Sequence, residues 1–201
     1  MSAITWTHPF LYQLLQLIPI NTNLLVDVGC GRGIIGALMR IYRKPNRLVA
    51  IDGFEPSLAF CKKHDFYDEY FKVDLSRLPL PFSDGEFEIA TCIEVIEHLP
   101  KQAGFKLMDE LERVARKVIV TTPKAFFNQD CYDGNPHQAH LSNWTIKEFA
   151  DRGYEALSFE SFGRFNVYPS YTDFLKSNFF KLASRILWGR PYNALIVAVK
   201  S

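Results

Sequence analysis

Short apolar runs rich in β-branched residues alternate along this chain with longer segments whose apolar positions recur every three or four residues. The runs fall at 24–28, 48–51, 70–73, 87–93 and 118–122, and two more follow at 157–162 and 194–199. Helical patterning occupies 34–42, 56–63 and 104–115 between the early ones. Strand, helix, strand repeated in this way requires right-handed crossovers between parallel strands, and such sheets are covered by helices on both faces. The expected fold is therefore α/β, a doubly wound sheet of up to seven strands. With 201 residues, no internal repeat and no long linker, one domain over 1–201 is expected. Ligands of such sheets bind at the carboxyl ends of the strands, so residues there carry the functional argument.

Composition narrows the class. Lys and Arg number 23 against 22 Asp and Glu, giving a net charge of +1, and 48% of residues are hydrophobic. That excludes a disordered chain and argues against a whole-body basic field for nucleic acid. Cys30, Cys61, Cys92 and Cys131 show no paired spacing, so they read as free thiols of a reducing compartment rather than a disulfide scaffold. The first basic residue is Arg32, which leaves the N-terminus without the positive region of a secretory signal. Leu11, Leu14, Leu15 and Ile18 form an amphipathic stripe broken by Gln13 and Gln16 and stopped near Pro19, too short and polar to span a bilayer. A cytoplasmic location is expected.

The first strand runs into Asp27-Val-Gly-Cys-Gly-Arg-Gly33, and Gly29, Gly31 and Gly33 make a tight turn that a ligand can approach closely. The helix beginning there aims its N-terminal N–H groups at the same place. Gly31, Gly33 and Gly36 satisfy the dinucleotide string GxGxxG, but in the wrong register, because the glycine directly off the strand is Gly29. Charge separates the two readings. Asp27 lies beside the turn, Asp52 ends the second strand, Asp74 follows the third and Glu94 follows the fourth. Four acids welcome a cationic ligand rich in hydroxyl and amine donors and free of phosphate. S-adenosylmethionine (SAM) fits, with Asp52 accepting the ribose hydroxyls and Asp74 the adenine amine.

With those residues in place the sequence resembles the class I SAM-dependent methyltransferases. The shared motifs are Leu25-Val-Asp-Val-Gly-Cys-Gly-Arg-Gly33, Ala50-Ile-Asp-Gly53, Pro81-Phe-Ser-Asp-Gly-Glu-Phe87 and Glu94-Val-Ile-Glu-His-Leu99. The resemblance is strong over 24–122 and looser beyond. It implies a seven-stranded sheet with its last strand antiparallel and SAM lying across the first four strand ends. By motif match Asp27, Gly29, Gly31 and Gly33 fall on the methionine-moiety turn, Asp52 on the ribose, and Asp74 with Leu75 on the adenine pocket. Glu94 falls in the segment flanking the donor methyl.

The acceptor side is less defined. No Asp/Asn-Pro-Pro-Tyr and no Pro-Cys follows the fourth strand, which argues against exocyclic-amine and cytosine-C5 methylation of nucleic acid. Residues 126–144 are dense in aromatics and hydrogen-bonding groups and make the expected acceptor wall. His140 resembles a histidine lying near the acceptor in part of the family, and His98 could face the same cleft; both are candidate catalytic groups, against the plainer reading of capping or loop histidines. Asp133, His137 and His140, with Cys131, are the metal-capable set, but their spacing matches no common zinc pattern and no metal is expected. Residues 163–191 carry five basic residues against Asp173 alone, with an apolar stripe at Tyr171, Leu175, Phe179, Leu182 and Ile186. This amphipathic insertion, at about 168–190, reads as a lid over a lipid-like acceptor, as peripheral membrane contact through 171–188, or simply as a helix packed on the sheet. The expected activity is methyl transfer from SAM to a small-molecule or lipid-like acceptor, at oxygen. The alternatives are methylation of RNA or protein and non-catalytic SAM binding, with a nicotinamide oxidoreductase as the rival that the glycine string suggests.

Overall fold

The computed structural model describes residues 14–126, 128–131, 133–161 and 193–201. Seven strands form one sheet: β1 (Leu24–Val28), β2 (Arg47–Asp52), β3 (Glu69–Lys72), β4 (Phe87–Ile93), β5 (Ala115–Pro123), β6 (Glu155–Ser161) and β7 (Asn193–Lys200). Their order across the sheet is β3-β2-β1-β4-β5-β7-β6. β1 through β5 pair in parallel, and β7 runs antiparallel to both of its neighbours. The helices are α1 (Ile34–Tyr42), α2 (Glu55–Lys63), α3 (Lys101–Val114) and α4 (Ile146–Asp151).

The strands are apolar on both faces because both faces are covered. Leu25, Leu48, Ala50, Ile89, Ile119 and Val197 pack with Ile35 and Met39 of α1 and Leu58 and Cys61 of α2. Their strand neighbours Val26, Val49, Ile51, Ala90, Val118 and Val120 turn the other way, onto Leu107, Met108 and Leu111 of α3 and Phe149 of α4. Successive strand residues thus feed two separate cores, as the period-two geometry of a strand dictates. The strand order reverses between the parallel neighbours β1 and β4, which opens a crevice at their carboxyl ends.

One helix start differs from the sequence pattern. α3 starts at Lys101, directly after Pro100, rather than at Gly104, since the fixed φ of proline suits the residue before a helix. Gly104 lies in the first turn because Trp144 crosses there; a Cβ on it would stand 2.4 Å from the indole Cζ2. The helical turn at 14–17 has its last carbonyls capped by Arg43, which donates to Leu15 and Ile18, and by Lys117, which donates to Leu17. No helix among the described residues is long and apolar enough to cross a membrane. The expected insertion at 168–190 and its apolar stripe lie outside the described residues.

Candidate active site

The glycine turn leaves β1 and doubles back over the sheet. Gly29 and Cys30 both donate their amides to the Ile51 carbonyl, at 2.8 and 2.9 Å, which ties the turn to β2. Gly29, Gly31 and Gly33 have φ of 77°, 51° and 77°, a region that side chains disfavour. At Gly29 a Cβ would also lie 2.3 Å from Val95, whereas at Gly31 it would meet nothing within 4 Å. Gly31 is the open side of the turn, where a ligand can lie against backbone.

Asp27 supports this turn from beneath. It is 1% exposed, with one carboxylate oxygen accepting from the Tyr67 hydroxyl at 2.6 Å and the other from Thr91 at 2.8 Å. The Tyr67 hydroxyl in turn accepts the Gly36 amide at 3.0 Å, so β1, the first turn of α1 and the segment before β3 share one buried relay. Burial pushes the Asp27 carboxyl up to about 6, against the pull of its two hydroxyl donors. Its charge reaches the turn through Tyr67.

Asp52 lies at the end of β2, with its oxygens accepting the Gly31 and Phe54 amides at 2.8 Å each. Desolvation raises this carboxyl, and the two amides oppose that. The Val73 amide donates to the Asp52 carbonyl at 3.1 Å, which brings the end of β3 alongside. Asp74 follows, half-exposed, and accepts the Ser76 hydroxyl and amide, which hold its carboxyl below the usual range. Leu75 is buried beside it.

Past β4 the backbone is strained. Glu94 has φ of +56°, rare for a residue with a side chain, and its carboxylate accepts Thr121 Oγ1 at 2.8 Å. Burial pushes that carboxyl up to about 7. One turn on, Glu97 is 3% exposed and accepts the Thr122 hydroxyl at 3.1 Å; burial and the charge of Glu94 raise its carboxyl well above the usual range. Its backbone carbonyl accepts the Leu141 and Ser142 amides, which draws the β5–α4 connection onto the site. His98 places Nδ1 3.1 Å from the Ala139 carbonyl, and burial drives its imidazole down to about 4, so it is neutral at pH 7. With the Nδ1 proton assigned to that carbonyl, Nε2 is left as an acceptor. The buried His140 ring stands 4.9 Å from that of His98.

Residues 26–118 match a family model described as a methyltransferase domain. That stretch is similar to the methyltransferase domain over a little under half of the chain. Over 106 residues, 48% of this chain, it is 30% identical to "Ubiquinone biosynthesis O-methyltransferase, mitochondrial" of Schizosaccharomyces pombe and covers 37% of that protein. The chain spans between 34% and 47% of the length of the curated relatives it matches. In fold it is similar to a DhpI complex with SAM and HEP, with a TM-score of 0.65 at 12% identity, covering 100% of this chain and 88% of that one. It is also similar to an S-adenosylmethionine-dependent methyltransferase from Mesorhizobium loti, with a TM-score of 0.61 at 16% identity, covering 94% and 96%.

Of the expected site residues, Asp27, Gly29, Gly31, Gly33, Asp52, Asp74, Leu75 and Glu94 lie in the turn or at or just past strand ends, whereas His98 lies in a 3-10 turn after β4 and His140 in the β5–α4 connection, and the metal-capable set differs from the expected one. Cys131 donates to the Pro136 carbonyl, Asp133 faces Arg32 at 3.9 Å, and His137 lies against Gly53. His140 instead joins Glu97 and His98, one ligand atom of each lying within 4.8 Å of the others. One carboxylate and two imidazoles, with His98 already oriented by a carbonyl, suit a divalent transition ion, so the expectation of no metal site is set against a donor set that fits one. Glu97 and Tyr67 were not among the expected residues. The three- and four-residue spacing from Glu94 to Glu97 and His98 was the signal for the first; nothing local marks Tyr67.

Proposed function

We propose that this chain is a SAM-dependent methyltransferase acting on a hydroxyl oxygen of a small molecule. The observation that carries the reading is the partly buried group of Glu94, Glu97 and His98, just past the end of β4, with His140 brought to them by the β5–α4 connection. The turn and Asp52 bind the cofactor: Gly31 offers backbone, and the free edges of the Asp52 carboxylate accept the ribose hydroxyls. The cofactor would supply an electrophilic methyl there, and in-line displacement needs the acceptor oxygen held on the side of the methyl carbon opposite the sulfur. Glu97, His98 and His140 hold that oxygen, and the His140 imidazole takes its proton as the C–O bond forms and the C–S bond breaks. A divalent cation held by Glu97, His98 and His140 would instead lower the hydroxyl pKa and fix its oxygen, with His140 then a ligand and not the base.

The name of the Schizosaccharomyces pombe relative supports an oxygen acceptor. An acceptor with an apolar tail is the finer version, supported by the apolar stripe of 171–186 in the sequence. Three buried free thiols and one exposed one support the cytoplasm as its place. Transfer of tritiated methyl from SAM to a panel of mono- and dihydroxylated aromatic acids tests the reading, with an RNA transcript as a parallel acceptor. Label on an oxygen of a small acceptor is the expected result, and its loss with EDTA and return with Mn²⁺ would assign His140 to the metal set rather than to the base. Label on RNA alone moves the function to nucleic acid, and SAM binding without label on any acceptor points to a non-catalytic binding protein.

A further inference from the structure

The β5–α4 connection does not stay over its own strand. Gln129 donates to the Gln138 carbonyl at 2.7 Å, His140 donates its amide to Gln129 at 3.0 Å, and Asn135 accepts the His137 amide at 2.9 Å. This tied loop carries His137 across β4 and β1 to the end of β2. There its Nε2 stands 3.3 Å, and its Cδ2 3.6 Å, from the point a Cβ on Gly53 would occupy, and the Val73 carbonyl is 3.4 Å from the same point. Asp133, facing Arg32 of the glycine turn at 3.9 Å, makes a second crossing contact. The imidazole therefore lies over bare backbone between Asp52 and Asp74, with its outer face exposed. Its proximity to both is electrostatic as well as geometric. Asp74 is lowered first by Ser76, and Arg77 and His137 act the same way; at Asp52, where burial raises the carboxyl, His137 acts with the amides against it.

We infer that His137 is a cofactor-binding residue: its ring stacks on the adenine, supplying from the acceptor loop the surface that Gly53 lacks. This rests on the methyltransferase reading, under which Asp52 takes the ribose and Asp74 the adenine amine, so the base lies between them against the exposed outer face of the imidazole. Stacking of a base on an aromatic side chain tolerates exchange of one ring for another, whereas loss of the ring weakens binding. It also follows that the loop bearing His140 closes on the cofactor, so bound cofactor fixes one wall of the acceptor site.

Titration calorimetry with S-adenosylhomocysteine (SAH) and with 5′-methylthioadenosine, on wild type, His137→Ala and His137→Phe, tests this. His137→Ala should bind both about tenfold more weakly, with an unchanged melting temperature in the absence of ligand, and His137→Phe should bind within about twofold of wild type. In His137→Trp, SAH should quench the fluorescence of the new indole. Wild-type affinity in His137→Ala overturns the inference, and tighter binding overturns it too, since the ring would then be obstructing the gap. If wild type binds neither ligand, the methyltransferase reading itself has failed, an outcome distinct from the first two.

Discussion

Tyr67→Phe removes one oxygen atom and should unsettle the cofactor turn from below. The hydroxyl donates to the Asp27 carboxylate at 2.6 Å and accepts the Gly36 amide at 3.0 Å, while the ring packs against Gly33 and Gly36 and stays in the variant. A hydrogen bond to a buried charge contributes about 1.5–3 kcal/mol, and an amide left unsatisfied costs about 1–3 kcal/mol, so a loss of about 3 kcal/mol is expected. For a chain of this size that lowers the melting temperature by about 6–12 °C. The loss should depend on pH. The folded-state pKa of Asp27, at about 6, lies above its unfolded value near 3.8. Its contribution is therefore fully present below pH 4 and declines as pH rises through 6. Tyr67 lowers that pKa, so without its hydroxyl the pKa rises further and the decline steepens. Urea titrations of both proteins at pH 5 and pH 8 should show the larger difference at pH 8. A difference below about 0.5 kcal/mol, or one equal at the two pH values, would refute the relay from Asp27 to the turn.

Asp52→Asn leaves one acceptor oxygen for two amides and removes the charge offered to the ribose. SAH affinity should fall roughly a hundredfold in calorimetry, and undiminished affinity would remove Asp52 from the cofactor site. Gly104→Ala puts a methyl 2.4 Å from Trp144, whose Nε1 is fixed by Ser142 at 3.1 Å. Overpacking should outweigh the helix-propensity gain and destabilise by about 1–2 kcal/mol, whereas a rise in melting temperature would show that the indole can yield. His140→Ala should lower turnover by roughly 10²–10⁴ with SAH affinity unchanged, and full activity in that variant would exclude it as the base.

The parts of the fold readable in the sequence are those set by local periodicity. Val26 against Leu25, and Val49 and Ile51 against Leu48 and Ala50, serve two cores, so the runs carry no alternation and read as buried parallel strands. Asp52 and Glu94 could be placed at strand ends for the same reason. What the sequence did not reveal depends on contacts distant along the chain. Tyr67 reaches Asp27 across 40 positions, and His137 reaches Gly53 only because a loop crosses the sheet. Asp52 was read as a ligand group alone, yet its carboxylate also holds the Gly31 and Phe54 amides, so removing it disturbs the turn as well as the ribose contact. Glu97 was not singled out although it follows Glu94 by three residues, because a buried acid becomes visible as such only once Thr122 and Ser142 are packed around it.

The most direct test of the central claim is a thermal melt with SAM, SAH and NAD added separately. A ligand at about a hundred times its dissociation constant stabilises by roughly 2.7 kcal/mol, a shift of about 5–10 °C for a chain of this length. A strand-end crevice lined by Asp52, Asp74 and Glu94 should give that shift with both adenosyl ligands and none with NAD, whose pyrophosphate would face carboxylates. A shift with NAD alone would contradict the account.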